Sequence, residues 1–553
     1  MVAPAGRLEV EPVNRLRGNP WAVLITLCLG FFMTLLDTTV VGVAMPNIIA
    51  SLGLSYSEVL WVSNAYVLVL AVLLITAGRL GDLLGKRNVY LAGVAVFTVA
   101  SVCCALSQNA GELIAARAVQ GLGAALLMPQ TMSIIVAIFP PDRRGTALGV
   151  WGAVAGVATV AGPPLGGFLV NAADWRWIFT INVPLGLLVL ALAPLIIPVT
   201  ARPPRAGRFD VRGAVLITVA LALLAFAVQE GQRYHWGTVW SFVSIPLLLV
   251  LGAVVFAGFA LSQSRPGDRT PMVPIPLLRN RNFALMSVSA IGLSIGLMSM
   301  AIGFQLYAQS VLGYSALAAG MISAPLSVVS AVVGPIMGRL SDRFSGRRIA
   351  AAGLALFAVG LVIFALTSRV DSSVWALVPG LVVMGAGLGC VFAPLAAVAM
   401  HDVPPVMAGA AAGVMNATRQ LGSVLGTAGF GVLLQYELTN NLMGVRESTV
   451  STLPPEARAD FVNGIHGAAA NGIDYAALQT GTAVRLPPDA TPELAQQISV
   501  VARQVFGDGF VSSMHIALCL PIVALLAAAG CALLTRERTP APSEPERESV
   551  RTA

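Results

Sequence analysis

Long apolar stretches recur along this 553-residue chain, and they limit what it can fold into. A helix needs about 20 mostly apolar residues to cross about 30 Å of hydrocarbon, whereas strands of an outer-membrane barrel alternate over about 10 residues. Continuous stretches of helical length occur fourteen times. We therefore predict an all-α integral membrane protein with 14 transmembrane helices. The predicted spans are 21–45, 58–79, 89–107, 113–138, 145–168, 178–198, 213–229, 239–262, 283–310, 317–338, 349–367, 373–399, 408–435 and 512–534.

Charged residues are scarce and unevenly placed. They make up 11% of the chain, whereas soluble proteins carry about 25%. Of the 33 Lys and Arg residues, 24 fall in the tails and loops on one side of the predicted spans. Because cytoplasmic loops retain such residues, we predict a multi-pass protein of the inner (cell) membrane with both termini in the cytoplasm. The net charge of +7 then follows from topology and does not indicate nucleic acid binding.

Glycine and proline positions repeat at an offset of 264 residues, so that Gly121 matches Gly385 and Pro140 matches Pro404. Shared small residues imply shared helix packing, so we predict two pseudo-symmetric six-helix bundles plus two inserted helices. The predicted parts are a cytoplasmic tail at 1–20, an N-terminal bundle at 21–200, inserted helices 7 and 8 with their links at 201–281, a C-terminal bundle at 282–535 and a cytoplasmic tail at 536–553. Within the C-terminal bundle, 436–511 forms an extracellular insert, for which we predict a small helical hairpin or a partly ordered cap.

Two charged residues lie deep in the predicted spans. Asp37 is in helix 1, where a carboxylate costs roughly 2.5–3.5 kcal/mol on insertion scales. Such acids usually bind ions, protons or substrate, and a structural hydrogen-bonded role is the alternative. Arg117 lies a turn or two inside helix 4 and needs a carboxylate, backbone or substrate partner, unless it snorkels to the headgroups.

Helix 5 and helix 13 carry two further features. Helix 5 is rich in glycine and proline, which permits close packing and bending, and packing alone is the alternative. The residues of this motif are Gly156, Gly162, Pro163, Gly166 and Gly167. In helix 13, Arg419 has Ala155 as its repeat partner, so the charge belongs to one half only, and this asymmetry favours a functional role.

Five short motifs occur in order along the N-terminal half. They are "LDTTVVGVAMPNI" in helix 1, "GRLGDLLGKR" between helices 2 and 3, "ARAVQGLGAALL" in helix 4, "GPPLGG" in helix 5 and "DWRWIFTINVPLG" entering helix 6. Together they resemble the signatures of the Major Facilitator Superfamily, specifically of its fourteen-helix drug:proton antiporter family. The resemblance extends over essentially the whole chain.

The resemblance implies a role for the loop between helices 2 and 3. In this superfamily the loop is a cytoplasmic latch, whose acid contacts a helix end and basic groups across the two halves. The latch residues implied here, including the repeat partner of the acid, are Gly78, Asp82, Gly85, Lys86, Arg87 and Asp342. A topology signal alone is the alternative, which explains the bases but not Asp82.

The resemblance also implies a function. We expect a monomeric, proton-coupled antiporter that exports small amphipathic compounds by alternating access, with the proton, the substrate and the lipid bilayer as its partners. Asp37 would carry the proton and Arg117 would tune it. The expected substrate cavity is lined by Asp37, Asn64, Gln120, Gln305, Asn416 and Arg419. One deep acid against two deep bases also predicts poor transport of dications.

No catalytic residue, metal or cofactor is expected. The four histidines are scattered, the six cysteines lie in apolar spans, and no Walker-type phosphate loop occurs. The alternatives are a proton symporter or a metabolite or lipid transporter of the same fold and, outside this class, a polytopic membrane receptor or enzyme.

Overall fold

The computed structural model describes residues 17–140, 143–199, 208–231, 234, 237–264, 269–404, 407–446, 450–470 and 492–536. Most of both predicted tails, the link at 200–207 and part of the predicted extracellular insert lie outside these residues. The described part is built from long helices. They are α1 (Pro20–Leu52), α2 (Tyr56–Leu84), α3 (Lys86–Leu106), α4 (Ala110–Ile138), α5 (Arg144–Ala172), α6 (Trp177–Thr180 and Asn182–Ile196), α7 (Val211–Glu230), α8 (Ile245–Ser264), α9 (Arg281–Leu306), α10 (Ala316–Ile322 and Ala324–Arg343), α11 (Gly346–Thr367), α12 (Val374–Met400), α13 (Ala408–Met443) and α14 (Pro492–Ala517 and Cys519–Leu533).

Length and hydropathy identify twelve helices of the described part that can cross a membrane. The prediction of an all-α, multi-pass membrane protein is therefore confirmed. The two long helices outside this set are α5 and α13, with 29 and 36 residues. In α13 the run "NATRQ" lowers the hydropathy of the helix centre. The count of fourteen transmembrane helices remains a prediction.

Local sequence signals set the helix ends around the first loops. The Asn19 side chain accepts a hydrogen bond from the Trp21 amide at 3.0 Å and caps α1. Ser55 and Glu58 form a capping box at the start of α2. Gly85 joins α2 directly to α3 with φ of +95°, a backbone conformation that only glycine adopts without strain.

The two halves contact each other through equivalent helices. In the N-terminal half α2 packs against α13 of the other half, and in the C-terminal half α10 packs against α5. Both contacts depend on glycine. A methyl group on Gly78 would meet the Gly413 Cα atom at 3.0 Å, and one on Gly149 would meet the Gly334 carbonyl oxygen at 2.8 Å. The sequence repeat relates these two contacts.

Of the inserted pair, α7 packs against α2 and α8 packs against α7. Trp61 of α2 contacts Phe226 of α7, with ring centroids 5.9 Å apart. Four very short strands accompany the pair and depart from the all-α expectation: β1 (Arg208–Phe209) pairs in parallel with β4 (Arg269–Thr270), and β2 (Thr238–Trp240) pairs antiparallel with β3 (Val243–Ser244). Because this hairpin occupies 238–244, α8 begins at Ile245, later than the predicted 239.

The predicted extracellular insert at 436–511 is largely helical in its described part. Helix α13 continues to Met443, and α14 begins at Pro492, so both helices run into the predicted insert. A further helix, Pro455–Ala470, packs against α13 and buries Phe461 and Ile465. These apolar side chains supply packing that the polar, Ala-rich composition of the insert did not predict.

Candidate functional site

A buried ion pair lies inside the N-terminal bundle. Arg117 Nη1 of α4 is 2.5 Å from Asp37 Oδ2 of α1. The two side chains are 1% and 0% exposed, so the pair is sealed from the space around the helices. This burial excludes the alternative in which Arg117 snorkels to the headgroups, because its guanidinium contacts a carboxylate in the interior.

Neighbouring helices complete the hydrogen bonding of the pair. The Asp37 carboxylate also accepts hydrogen bonds from Gln120 Nε2 at 2.9 Å and from Asn182 Nδ2 of α6 at 3.1 Å. The Arg117 Nε atom donates to the Val62 carbonyl oxygen of α2 at 3.0 Å. Four helices therefore hold the pair of Asp37 and Arg117. Such satisfaction is what makes a buried charge pair tolerable, because desolvating each ion costs several kcal/mol.

Aromatic rings enclose the guanidinium. The Arg117 Cζ atom lies 4.4 Å from the centroid of the Tyr66 ring and 5.7 Å from that of Phe179. Both rings are buried and exclude water, which strengthens every electrostatic interaction inside the cluster. We name Asp37, Arg117, Gln120, Asn182 and Tyr66 the Asp37 cluster.

The predicted latch acid of the first half reaches the second half. Asp82, at the end of α2, accepts hydrogen bonds from the backbone amides of Gly409 and Ala410, each at 2.8 Å. These amides form the N-terminus of α13, where the helix dipole favours a negative charge. Arg79 Nη1 lies 3.7 Å from the same carboxylate. A carboxylate of one half thus caps a helix of the other.

The repeat partner of Asp82 makes the equivalent contact in the opposite direction. Asp342, at the end of α10, accepts hydrogen bonds from the Gly145 and Thr146 amides at 2.8 Å and from the Thr146 hydroxyl at 2.7 Å. These amides form the N-terminus of α5. Two interhelical caps therefore close the same end of the bundle, which we name the latch end.

The basic latch residues have separate contacts. Lys86 is buried and interacts electrostatically with Asp82. Arg87 Nη2 donates to the Pro194 carbonyl oxygen of α6 at 2.7 Å. Arg87 therefore holds the loop against its own half. The resemblance implied instead that the basic groups contact the other half.

The glycines of the helix 5 motif have different neighbours. A methyl group on Gly162 would overlap the Thr39 hydroxyl of α1, and one on Gly166 would lie 3.1 Å from Val40 Cγ1. Gly156 faces the other half, with the Ser327 carbonyl oxygen 3.2 Å from a methyl placed there. Gly167 has room, and the Pro163 side chain lies outside the described part of the structure. The motif therefore lets α5 approach α1 and α10 at once.

The six expected cavity residues do not form one group. Asp37 and Gln120 belong to the Asp37 cluster, where neither is exposed to the space between the halves. Asn64 Nδ2 donates to Glu230 Oε1 of α7 at 2.9 Å, so it joins α2 to the inserted pair. Gln305 lies near the end of α9. Asn416 and Arg419 lie in the middle of α13, where both are partly exposed.

The family model described as Major Facilitator Superfamily matches residues 27–427. The chain belongs to the Major Facilitator Superfamily. The superfamily and its structural neighbours are transporters, so this superfamily member is a transporter and not an enzyme, as predicted.

Two relatives of this superfamily member are named for drug resistance. It is 32% identical to the tetracenomycin C resistance and export protein of Streptomyces glaucescens over 537 residues, 97% of this chain and 95% of that one. It is 35% identical to the multidrug resistance protein Stp of Mycobacterium tuberculosis over 420 residues, 76% of each chain. The resemblance to drug-efflux transporters is therefore confirmed.

A solved structure shows the same fold. The proton:xylose symporter XylE, bound to 6-bromo-6-deoxy-D-glucose, superposes with a TM-score of 0.56 at 13% identity, over 92% of this chain and 94% of that one. At this identity the likeness supports the superfamily fold alone.

Part of the Asp37 cluster is not predicted from the sequence. Asn182 and Tyr66 are absent from the predicted site, although a polar side chain inside the apolar span that follows "DWRWIF" is a usable signal. Ser101 Oγ accepts a hydrogen bond from Gln120 Nε2 at 2.9 Å and was missed because serines are common in spans. Among the described residues no group of three or more His, Cys, Asp or Glu side chains could hold a metal ion.

Proposed function

We propose that this transporter is a proton-coupled antiporter that exports small amphipathic compounds, drugs or antibiotics among them, by alternating access. The observation that carries the proposal is the fully buried pair of Asp37 and Arg117. A carboxylate deep in a membrane span is costly and is rarely placed there without a functional role. The drug-resistance names of the relatives support export as the direction.

The coupling proceeds through the pair. While Asp37 is ionised, Arg117, Gln120 and Asn182 bind its two oxygens and hold α1, α4 and α6 together. A proton on the carboxylate removes the attraction to Arg117, so these helices separate more easily. Substrate and proton would then occupy the transporter in alternation, which is antiport.

The latch end supplies the gate. Asp82 and Asp342 each neutralise the positive N-terminal end of a helix in the opposite half. Opening this end exposes two carboxylates and two helix ends to water at once. Because both caps break together, the closed and open states are separate and intermediates are unfavourable. By the distribution of Lys and Arg, the latch end faces the cytoplasm, together with both termini of a monomer in the inner membrane.

The test is transport in proteoliposomes with an imposed pH gradient. Purified protein is reconstituted, and uptake of ethidium and of tetracenomycin C is followed with the acidic compartment placed opposite or on the same side as the compound. Antiport predicts accumulation toward the acidic side. Accumulation away from the acidic side would indicate symport, and uptake that ignores the gradient would refute coupling.

A further inference from the structure

Arg419 lies between the two halves with an incomplete set of contacts. Its Cζ atom is 4.7 Å from the centroid of the Phe392 ring of α12, and Phe392 Cβ in turn lies 3.2 Å from a methyl group placed on Gly152 of α5. Arg419 is 11 residues from the start of α13, which is about 16 Å along the helix and so near mid-membrane.

Within the described residues, no acid neutralises the guanidinium of Arg419. Its side chain makes neither an ion pair nor a hydrogen bond with them. Its Cζ atom lies over the Phe392 ring and the residue is partly exposed, so its N–H groups are available to a ligand. A charge within a membrane span is costly without a partner, and an acidic ligand would supply one.

None of the acids in the described helices forms an ion pair with Arg419. Asp37 is paired with Arg117, while Asp82 and Asp342 cap helices at the latch end. The others lie toward helix ends or in the helix Pro455–Ala470, namely Glu58, Glu112, Glu230, Glu437, Glu456, Asp460, Glu493 and Asp508. Among the described residues, therefore, none offsets the charge of Arg419 between the halves.

The outer acids of the first half are fixed in helix caps. Glu58 accepts from the Ser55 amide at 2.8 Å, and Glu112 accepts from the Gln108 amide at 2.9 Å. Glu437 of α13 is 18 residues beyond Arg419, about 27 Å along the helix. Neutralisation of Arg419 by any of these acids would first require a helix cap to open or a helix to shift by several turns.

We propose that Arg419 binds the acidic group of the transported compound, and that Phe392 stacks on the aromatic part of the same molecule. The proposal rests on the proposed export function and names its substrate class: aromatic amphiphiles with one carboxylate or comparable acid. Arginine binds carboxylates through two parallel hydrogen bonds, which gives both charge and orientation. Compounds that carry two positive charges are repelled from the same place.

The test measures binding without any gradient, so it is independent of coupling. Equilibrium dialysis compares 2-naphthoate with 2-naphthamide, and 2-anthroate with its amide, on detergent-purified protein at one pH. Each pair shares its ring and differs in charge. The wild type should prefer each acid by about 10- to 100-fold, the range of a hydrogen bond to a charged group.

Variants assign the preference to its residue. Arg419→Gln should bind acid and amide equally, Arg419→Lys should keep part of the preference, and the control Arg176→Gln should keep all of it, because Arg176 belongs to an exposed ion pair. An acid preference that survives in Arg419→Gln would overturn the proposal. The absence of any preference in the wild type, or an equal loss of acid and amide binding in Arg419→Gln, would overturn it too.

The failures of the two proposals are distinguishable. If acids bind preferentially through Arg419 but no pH gradient drives their transport, the coupling proposal fails and the substrate proposal stands. If a gradient drives transport of ethidium while Arg419 gives no acid preference, the coupling proposal stands and the substrate proposal fails.

Discussion

Removing one partner of the buried pair should be costly, and removing both should cost less than the sum. The Asp37→Asn variant leaves the guanidinium of Arg117 in a site where both side chains are 1% exposed or less. Breaking a buried pair from one side typically destabilises a protein by about 3–5 kcal/mol, because an uncompensated charge stays behind. The same holds for Arg117→Gln.

In the double variant no charge remains, and the new amides can bond to Gln120 and Asn182. We expect the two partners to be coupled by about 2–3 kcal/mol, at the upper end of the range for contacting residues. The measurement is the free energy of unfolding in lipid bicelles as sodium dodecyl sulfate is added, for the wild type, both single variants and the double variant.

A control pair is present in the same half. Arg176 Nη1 and Asp174 Oδ2 are 3.1 Å apart, but their side chains are 34% and 43% exposed. Coupling there should not exceed about 1 kcal/mol. Single-variant losses below about 1 kcal/mol at the buried pair would refute its description as a stabilised ion pair. So would effects of the two substitutions that add within about 0.5 kcal/mol.

Two other predictions concern the latch end and helix 5. Asp82→Asn and Asp342→Asn should each shift the ratio of closed to open states at the latch end by roughly 10- to 100-fold, because each weakens charged hydrogen bonds to a helix N-terminus. Distances between spin labels placed across that end measure the shift. Unchanged distances would contradict the prediction. Gly162→Ala should lower the unfolding midpoint because its methyl would overlap Thr39, whereas Gly167→Ala should not, since the nearest atom lies 3.8 Å away; equal effects of both substitutions would argue against the packing account.

Much of the fold could be predicted because membrane spans depend on composition and length. The apolar stretches located the helices, and the repeat correctly related Asp82 to Asp342, whose contacts are equivalent. The ends of the helices were harder to predict, because a helix can continue through polar residues that pack against another helix. Helix α14 begins at Pro492, far before the predicted 512, and its first segment packs on α13.

The candidate site could be predicted only in part. Asp37 and Arg117 each required a partner, but only the family resemblance related the two residues, which are 80 positions apart. The link from Asn64 to Glu230 joins segments 166 residues apart, and such a contact depends on where the inserted pair packs. Periodicity within a helix carries no information about that position.

The central claim is that Asp37 couples proton movement to export, and one comparison tests it most directly. Reconstituted wild type, Asp37→Asn and the exposed-acid control Asp371→Asn are assayed for tetracenomycin C exchange at equal pH and for its accumulation driven by a pH gradient. Exchange needs binding and alternation only, whereas accumulation also needs the titrating carboxylate. We predict that Asp37→Asn retains exchange but loses accumulation, while Asp371→Asn retains both. Undiminished gradient-driven accumulation by Asp37→Asn would contradict the account.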